Sequence, residues 1–147
     1  MSMSRRDLSL LLPALAAGQS SAQTPATPTK EKPVLPAKSY LYSELPVKTN
    51  GENQTRAVFD GTTHTGYPVE LHITRLGPGL MPHPPHKHVH EEILTLKSGQ
   101  LDIIMGGTTT RVTAGSVVMT ASMLEHGWRN PGPDYAEYFV IAVGPKS

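Results

Sequence analysis

From residue 40 onward, short apolar runs are separated by tight glycine-bearing breaks. This spacing leaves antiparallel β-structure as the way to bury those runs. The breaks are Ser98-Gly99, Gly106-Gly107, Ala114-Gly115 and Asn130-Pro131-Gly132. The runs that predict strands are 40–45, 56–59, 69–76, 92–97, 101–105, 109–113, 116–120, 127–129 and 135–143. Past the N-terminal region no stretch sustains the i, i+3, i+4, i+7 apolar spacing of a helix, and no internal repeat is visible. Short strands at this spacing predict an all-β sandwich or barrel. Aromatic residues make up only 5% of the 147 residues, so the core must be built mainly from Val, Leu, Ile and Met. A chain of this length closes one such core.

The N-terminus reads as an address. Ser4-Arg5-Arg6-Asp7-Leu8 precedes the apolar run 10–17, and the small residues Ser20, Ser21 and Ala22 suit a signal-peptidase cut. An apolar run of about ten residues is too short to cross a bilayer core of about 30 Å as a helix. The paired arginines resemble a bacterial twin-arginine signal, although Leu8 stands where an aromatic usually follows and no Lys comes after. An ordinary secretory signal is the alternative, and both predict a periplasmic or secreted protein. We therefore assign 1–22 as a signal peptide, 23–39 as a Pro- and Thr-rich linker, and 40–147 as the folded domain. No membrane association is expected once the signal is removed. The formal charge is +1, and losing Arg5, Arg6 and Asp7 with the signal brings it to zero. No basic run suits a phosphate backbone, so nucleic acid is not an expected partner. The absence of cysteine excludes disulfides, thiolate metal sites, a cysteine nucleophile and a lipidated cysteine.

The chemistry is concentrated in Met81-Pro82-His83-Pro84-Pro85-His86-Lys87-His88-Val89-His90-Glu91-Glu92, which holds four of the seven histidines. On an extended chain, residues two apart share a face, so His86, His88 and Glu92 can face one point. Leu94 and Leu96 continue that face inward, while Lys87, Thr95 and Lys97 suit water. His126 opens a later strand whose same-parity residues are Trp128 and Asn130. Three imidazoles and a carboxylate form a site for one divalent transition metal per chain, with Fe, Mn, Ni, Cu and Zn all compatible. An octahedral ion so held keeps two positions open, the mark of a catalytic rather than a structural site.

These residues resemble the cupin family and its two signature motifs. The first reads here as Gly79, His86-x-His88, three residues, Glu92, six residues, Gly99. The second reads as Gly115, then His126, then Asn130. Gly79 lies one residue further from His86 than the family pattern has it, and Ala121 and Met123 stand where Pro and Gly are usual. The resemblance spans about 69–143. It implies a small jelly-roll-like double-stranded β-helix, an antiparallel barrel, with a metal held by His86, His88, Glu92 and His126. It also implies a homodimer in which the 40–45 strand pairs across subunits.

Other readings stand beside these. His90 shares the ligand parity but has nearer competitors, so a rim or supporting role is expected for it and for His83. Glu91 and Glu125 are read as solvated charges, His64 and His72 as surface or sheet residues, with His72 on a central strand also able to reach the cavity, and Met105 and Met119 as packing. Trp128 fits the cavity and the rim equally. The leading functional expectation is a metal-dependent enzyme on a small oxygenated molecule. A dioxygenase type is favoured because few interior acids or bases other than the ligands are visible. The alternatives are a non-catalytic metal- or ligand-binding module and a periplasmic metal-capture protein using the exposed histidines.

Overall fold

The computed structural model describes residues 32–146. The expected signal at 1–22 and the first part of the linker lie outside the described residues. Apolar and polar residues alternate to give nine strands: β1 (Val47–Asn50), β2 (Asn53–Thr62), β3 (Pro68–Leu76), β4 (Glu91–Ser98), β5 (Gln100–Met105), β6 (Thr108–Thr113), β7 (Val117–Thr120), β8 (His126–Arg129) and β9 (Ala136–Val143). No α-helix occurs among the described residues. The strands form two antiparallel sheets, one ordered β1-β2-β3-β9-β4-β7 and the other β6-β5-β8.

The period-two pattern decides which face is buried. In β9, Ala136, Tyr138, Val140 and Ala142 are buried while the residues between them are half-buried. Leu76, Leu94, Leu96, Leu101, Ile103, Val118, Trp128, Tyr138 and Val140 make the core. Trp128 Nε1–H donates to the Tyr138 hydroxyl at 2.7 Å, so this aromatic pair is buried with its polar atoms satisfied. Burial also raises the Tyr138 pKa, which keeps the group a neutral phenol.

Ser98-Gly99 makes the β4–β5 break as expected. Gly99 has φ +80°, and a Cβ there would lie 2.8 Å from the Ala136 Cα and 2.9 Å from the Tyr135 carbonyl. Left-handed backbone and a clash with backbone atoms act together. Gly99→Ala should therefore cost about 3 kcal/mol in urea unfolding; a cost near zero would show that the two strands can separate freely here.

The first expected strand is corrected. Residues 40–45 form no ladder, and a 3-10 turn occupies Tyr42–Glu44. Pro46 follows immediately and lacks the N–H a ladder needs. The segment instead packs Tyr40 on Phe59, ring centroids 5.5 Å apart, and buries Leu45. The edge strand is β1, which the sequence reading passed over because all four of its residues are exposed. Its signal is Asn50-Gly51: Gly51 has φ 57°, and Asn50 pairs with Asn53 across a two-residue turn.

The register of the larger sheet places the site. Glu70 on β3, Ala142 on β9, Glu92 on β4 and Thr120 on β7 form one row across the buried face. His72, Val140, Leu94 and Val118 form the next. The other face carries the half-buried Leu71, Phe139 and Ile141.

Candidate metal centre

Two segments meet at the site. His86 and His126 form an isolated antiparallel bridge, each amide donating to the other's carbonyl at 2.9 and 3.0 Å. The proline-rich stretch before His86 cannot supply a full ladder, since Pro82, Pro84 and Pro85 lack the donor. Gly127 makes room for it: a Cβ there would lie 3.2 Å from Pro85. His86 and His88 thus reach the site from a loop rather than from an extension of β4, which begins at Glu91. The loop is pinned again where the His88 carbonyl accepts from the Met123 amide at 2.8 Å. Met123 keeps the left-handed turn without the glycine usual there, at φ 61°, and its side chain is exposed.

The structure brings all four expected side chains together. His88 Nε2 lies 3.4 Å from Glu92 Oε1, and His126 Nε2 lies 3.3 Å from Glu92 Oε2. The His86 ring centroid is 5.1 Å from that of His88 and 4.9 Å from that of His126. His86, His88 and His126 offer ring nitrogens within 4.8 Å of one another, and so do His88, His90 and Glu92 with their donors. Glu92 and His126 are buried.

Backbone carbonyls orient two of the rings. His88 Nδ1–H donates to the His90 carbonyl at 2.7 Å, and His126 Nδ1–H donates to the Leu124 carbonyl at 2.8 Å. Each then turns Nε2 toward Glu92, the arrangement by which ligating histidines are held. His86 Nδ1, His88 Nε2 and His90 Nδ1 are buried without a hydrogen-bond partner. Clustered orphan nitrogens beside a carboxylate fit a divalent metal, which would satisfy them at once. Burial is the main cause holding His86 and His90 below the ordinary imidazole range, with neighbouring histidines adding to it. That favours the neutral rings a metal needs.

His83 is exposed, its ring edge-on to His86 at 4.3 Å. His64, Glu91 and Glu125 are exposed as expected. Met105 packs on the core, but Met119 is exposed on the outer face. Trp128 is buried beneath the site, 6.1 Å from the His126 ring, and lines the interior. His90 is nearer the cluster than expected, stacked on His88 at 3.6 Å with Nε2 3.5 Å from Glu92 Oε1.

On the facing wall, His72 reaches the cavity from its central strand, while Glu70 beside it was not singled out from the sequence. Glu70 and His72 sit on the inner face of β3, with His72 Nδ1 3.6 Å from Glu70 Oε1 and Lys146 paired to Glu70. The signal was the i, i+2 spacing of two ionisable residues in an apolar run. Burial lowers the His72 pKa despite the opposing pull of Glu70 and Glu92. The unfolded chain, near the usual value of about 6.5, then takes up a proton first as pH falls. His72 thus contributes stability above that pH and loses it below. His72→Gln should show a shallower loss of urea midpoint between about pH 7 and pH 5 than the parent protein; an identical slope would refute this.

A protein-family model described as Cupin domain (Cupin_2) matches residues 72–142. No curated protein matches the sequence. Solved structures of similar fold include the polyketide cyclase RemF from Streptomyces resistomycificus, with TM-score 0.63 and 17% identity over 74% of this chain and 80% of that one. KdgF from Halomonas sp. has TM-score 0.62 and 16% identity over 73% and 94%. A predicted oxalate decarboxylase from Thermotoga maritima has TM-score 0.61 and 19% identity over 74% and 100%. At these identities the likeness establishes the fold.

Proposed function

This chain carries a cupin domain of the Cupin_2 family, and on that footing we propose that it is an exported, metal-dependent enzyme acting on a small oxygen-bearing molecule. His86, His88, Glu92 and His126 would hold one divalent transition metal. The observation that carries this reading is the convergence of three ring nitrogens and one carboxylate, with unpaired nitrogens buried among them. When bound, Fe, Mn, Ni, Cu or Zn supplies Lewis-acid chemistry, and the redox-active ions supply dioxygen chemistry.

The chain's own residues favour one of these. The expectation of a dioxygenase leaned on an interior short of acids and bases. Glu70 and His72 remove that ground, because they share the buried face with Glu92, two strands away. Ala142, a small side chain, stands between Glu70 and Glu92 in this row. Across two strand spacings of about 4.8 Å, His72 can take or return a proton on the far side of a molecule seated against the histidines. Glu70 lies 3.6 Å from the ring Nδ1, where its charge favours the protonated ring. We therefore favour isomerase, lyase or decarboxylase chemistry over oxygen insertion.

Elemental analysis of native protein tests the site. Turnover of hydroxy-acid, diketone and phenolic compounds, with and without oxygen, then tests the class. Metal-dependent turnover without oxygen supports the reading; turnover that consumes oxygen restores the dioxygenase expectation. Metal binding with saturable ligand binding and no turnover leaves the non-catalytic module, and no bound metal overturns the proposal. Export rests on Arg5-Arg6 and the apolar run after them. It predicts a periplasmic or secreted protein whose first residue follows Ala22. A homodimer remains the expectation that the family resemblance carries.

A further inference from the structure

The inner face of the larger sheet has a polar end that the metal centre does not use. Lys48, Thr55, Thr74 and Tyr138 follow one another across β1, β2, β3 and β9 in a single row. A cavity of about 280 Å³ opens there, lined by Lys48, Asn50, Asn53, Thr55, Thr74 and Pro82. We propose that this cavity is the subsite for a carboxylate of the substrate, with the Lys48 ammonium as its counter-charge. The inference deepens the reading of the site as one for a small oxygen-bearing molecule, and rests on it.

Two features place the cavity beside the site. Along β3, Thr74 stands two residues from His72 and shares its face, about 7 Å away. On the loop, Pro82 immediately precedes His83, whose ring centroid is 4.3 Å from that of His86. A molecule that extends from the histidines past His72 along β3 therefore reaches the cavity.

The lining residues divide into frame and recognition groups. Asn53 belongs to the frame: its Oδ1 accepts from the Gly77 amide at 3.0 Å, and its Nδ2 donates to the Met81 carbonyl at 3.4 Å. Both bonds tie the β1–β2 hairpin to the stretch that leads to His86. Burial falls along the row, from Tyr138 and Thr74, both buried, to Lys48, exposed on the edge strand. The ammonium thus stays hydrated when the cavity is empty, and its charge needs no permanent partner. Lys32, Lys97 and Lys146 each pair with a carboxylate, whereas Lys48 makes no ion pair among the described residues. No acidic side chain among the described residues lines the cavity. One ammonium beside the Asn50 amide and the Thr55 hydroxyl is complementary to one negative charge, a carboxylate rather than a phosphate dianion.

The consequence is a substrate class. The molecule carries a carboxylate at one end, and the oxygens that face the histidines lie at the other. The two are separated by at least the distance from Thr74 to His72, about 7 Å, or about six bonds of extended chain. A short acid whose carboxylate adjoins its reacting oxygens reaches one of these places and leaves the other empty.

The test titrates glutarate, adipate, pimelate and suberate into the full chain loaded with Zn(II) and follows each backbone amide by proton–nitrogen NMR. The longer acids should shift Lys48, Asn50, Thr55 and Thr74 saturably, and adipamide, which has the shape of adipate without its charge, should not. Lys48→Gln should weaken that binding about tenfold, and Lys48→Arg should restore most of it. Lys48 is exposed, so neither variant disturbs the core. Shifts confined to the histidine segment, no saturable binding of any of the four acids, or unchanged affinity in Lys48→Gln overturns the inference. Inorganic phosphate binding the same residues more tightly than the acids also overturns it. The metal reading has a separate readout, and falls if Zn(II) leaves the ring nitrogens of His86, His88 and His126 unshifted.

Discussion

His126→Ala and Glu92→Gln each lower the affinity for a divalent transition metal by about a hundredfold or more, read by competition against a chelator of known affinity. His126 is 1% exposed, so its removal leaves a hole among groups that cannot collapse onto an ion. Its ring is aimed by the Leu124 carbonyl, and its backbone is the partner of His86. Glu92→Gln keeps the shape and deletes the charge. Glu92 is the carboxylate to which His88, His90 and His126 all turn a nitrogen, so the loss falls on the electrostatic part of binding. Both variants should keep the circular dichroism of a β-protein. Affinity unchanged in both would remove the metal site.

Asn130→Ala destabilises the fold by on the order of 4 kcal/mol in urea unfolding, because each stranded buried polar group costs roughly 1–3 kcal/mol. Asn130 is 0% exposed. Its Nδ2 donates toward the Leu76, Gly77 and Asp134 carbonyls at 3.0, 3.1 and 2.8 Å, and its Oδ1 accepts from the Gly132 amide at 2.9 Å. One side chain therefore ties the end of β3 to the turn after β8. Its backbone also exchanges hydrogen bonds with Gly79 and Leu80, at the start of the stretch that leads to His86. Asn130→Asp keeps the acceptor and loses the donors, so it should be nearly as damaging. A loss under about 1 kcal/mol for the Ala variant would show that water replaces these bonds.

The strands were legible wherever one face is buried. Glu92, Leu94 and Leu96 alternate against Ile93, Thr95 and Lys97, and β4 follows that alternation. β1 escaped because Val47, Lys48, Thr49 and Asn50 are all exposed, so no alternation exists to read. Residues 40–45 misled because aromatic and leucine side chains suggested a strand that Pro46 does not let form. The four expected donors were legible from motif spacing, and the structure brings them together. Parity alone did not reveal how: the loop bridge at His86, not an extended β4, delivers the first two histidines. The nearness of His90 to Glu92 depends on ring stacking, and the opposition of His72 to the cluster depends on β9 lying between β3 and β4. Neither is written in local sequence.

Glu92 belongs to the six-stranded sheet and His126 to the three-stranded one. A cation gripped by both is a crosslink between the two halves of the fold. Heat resistance then becomes a function of free ion concentration, since whatever binds the folded form alone displaces the unfolding equilibrium.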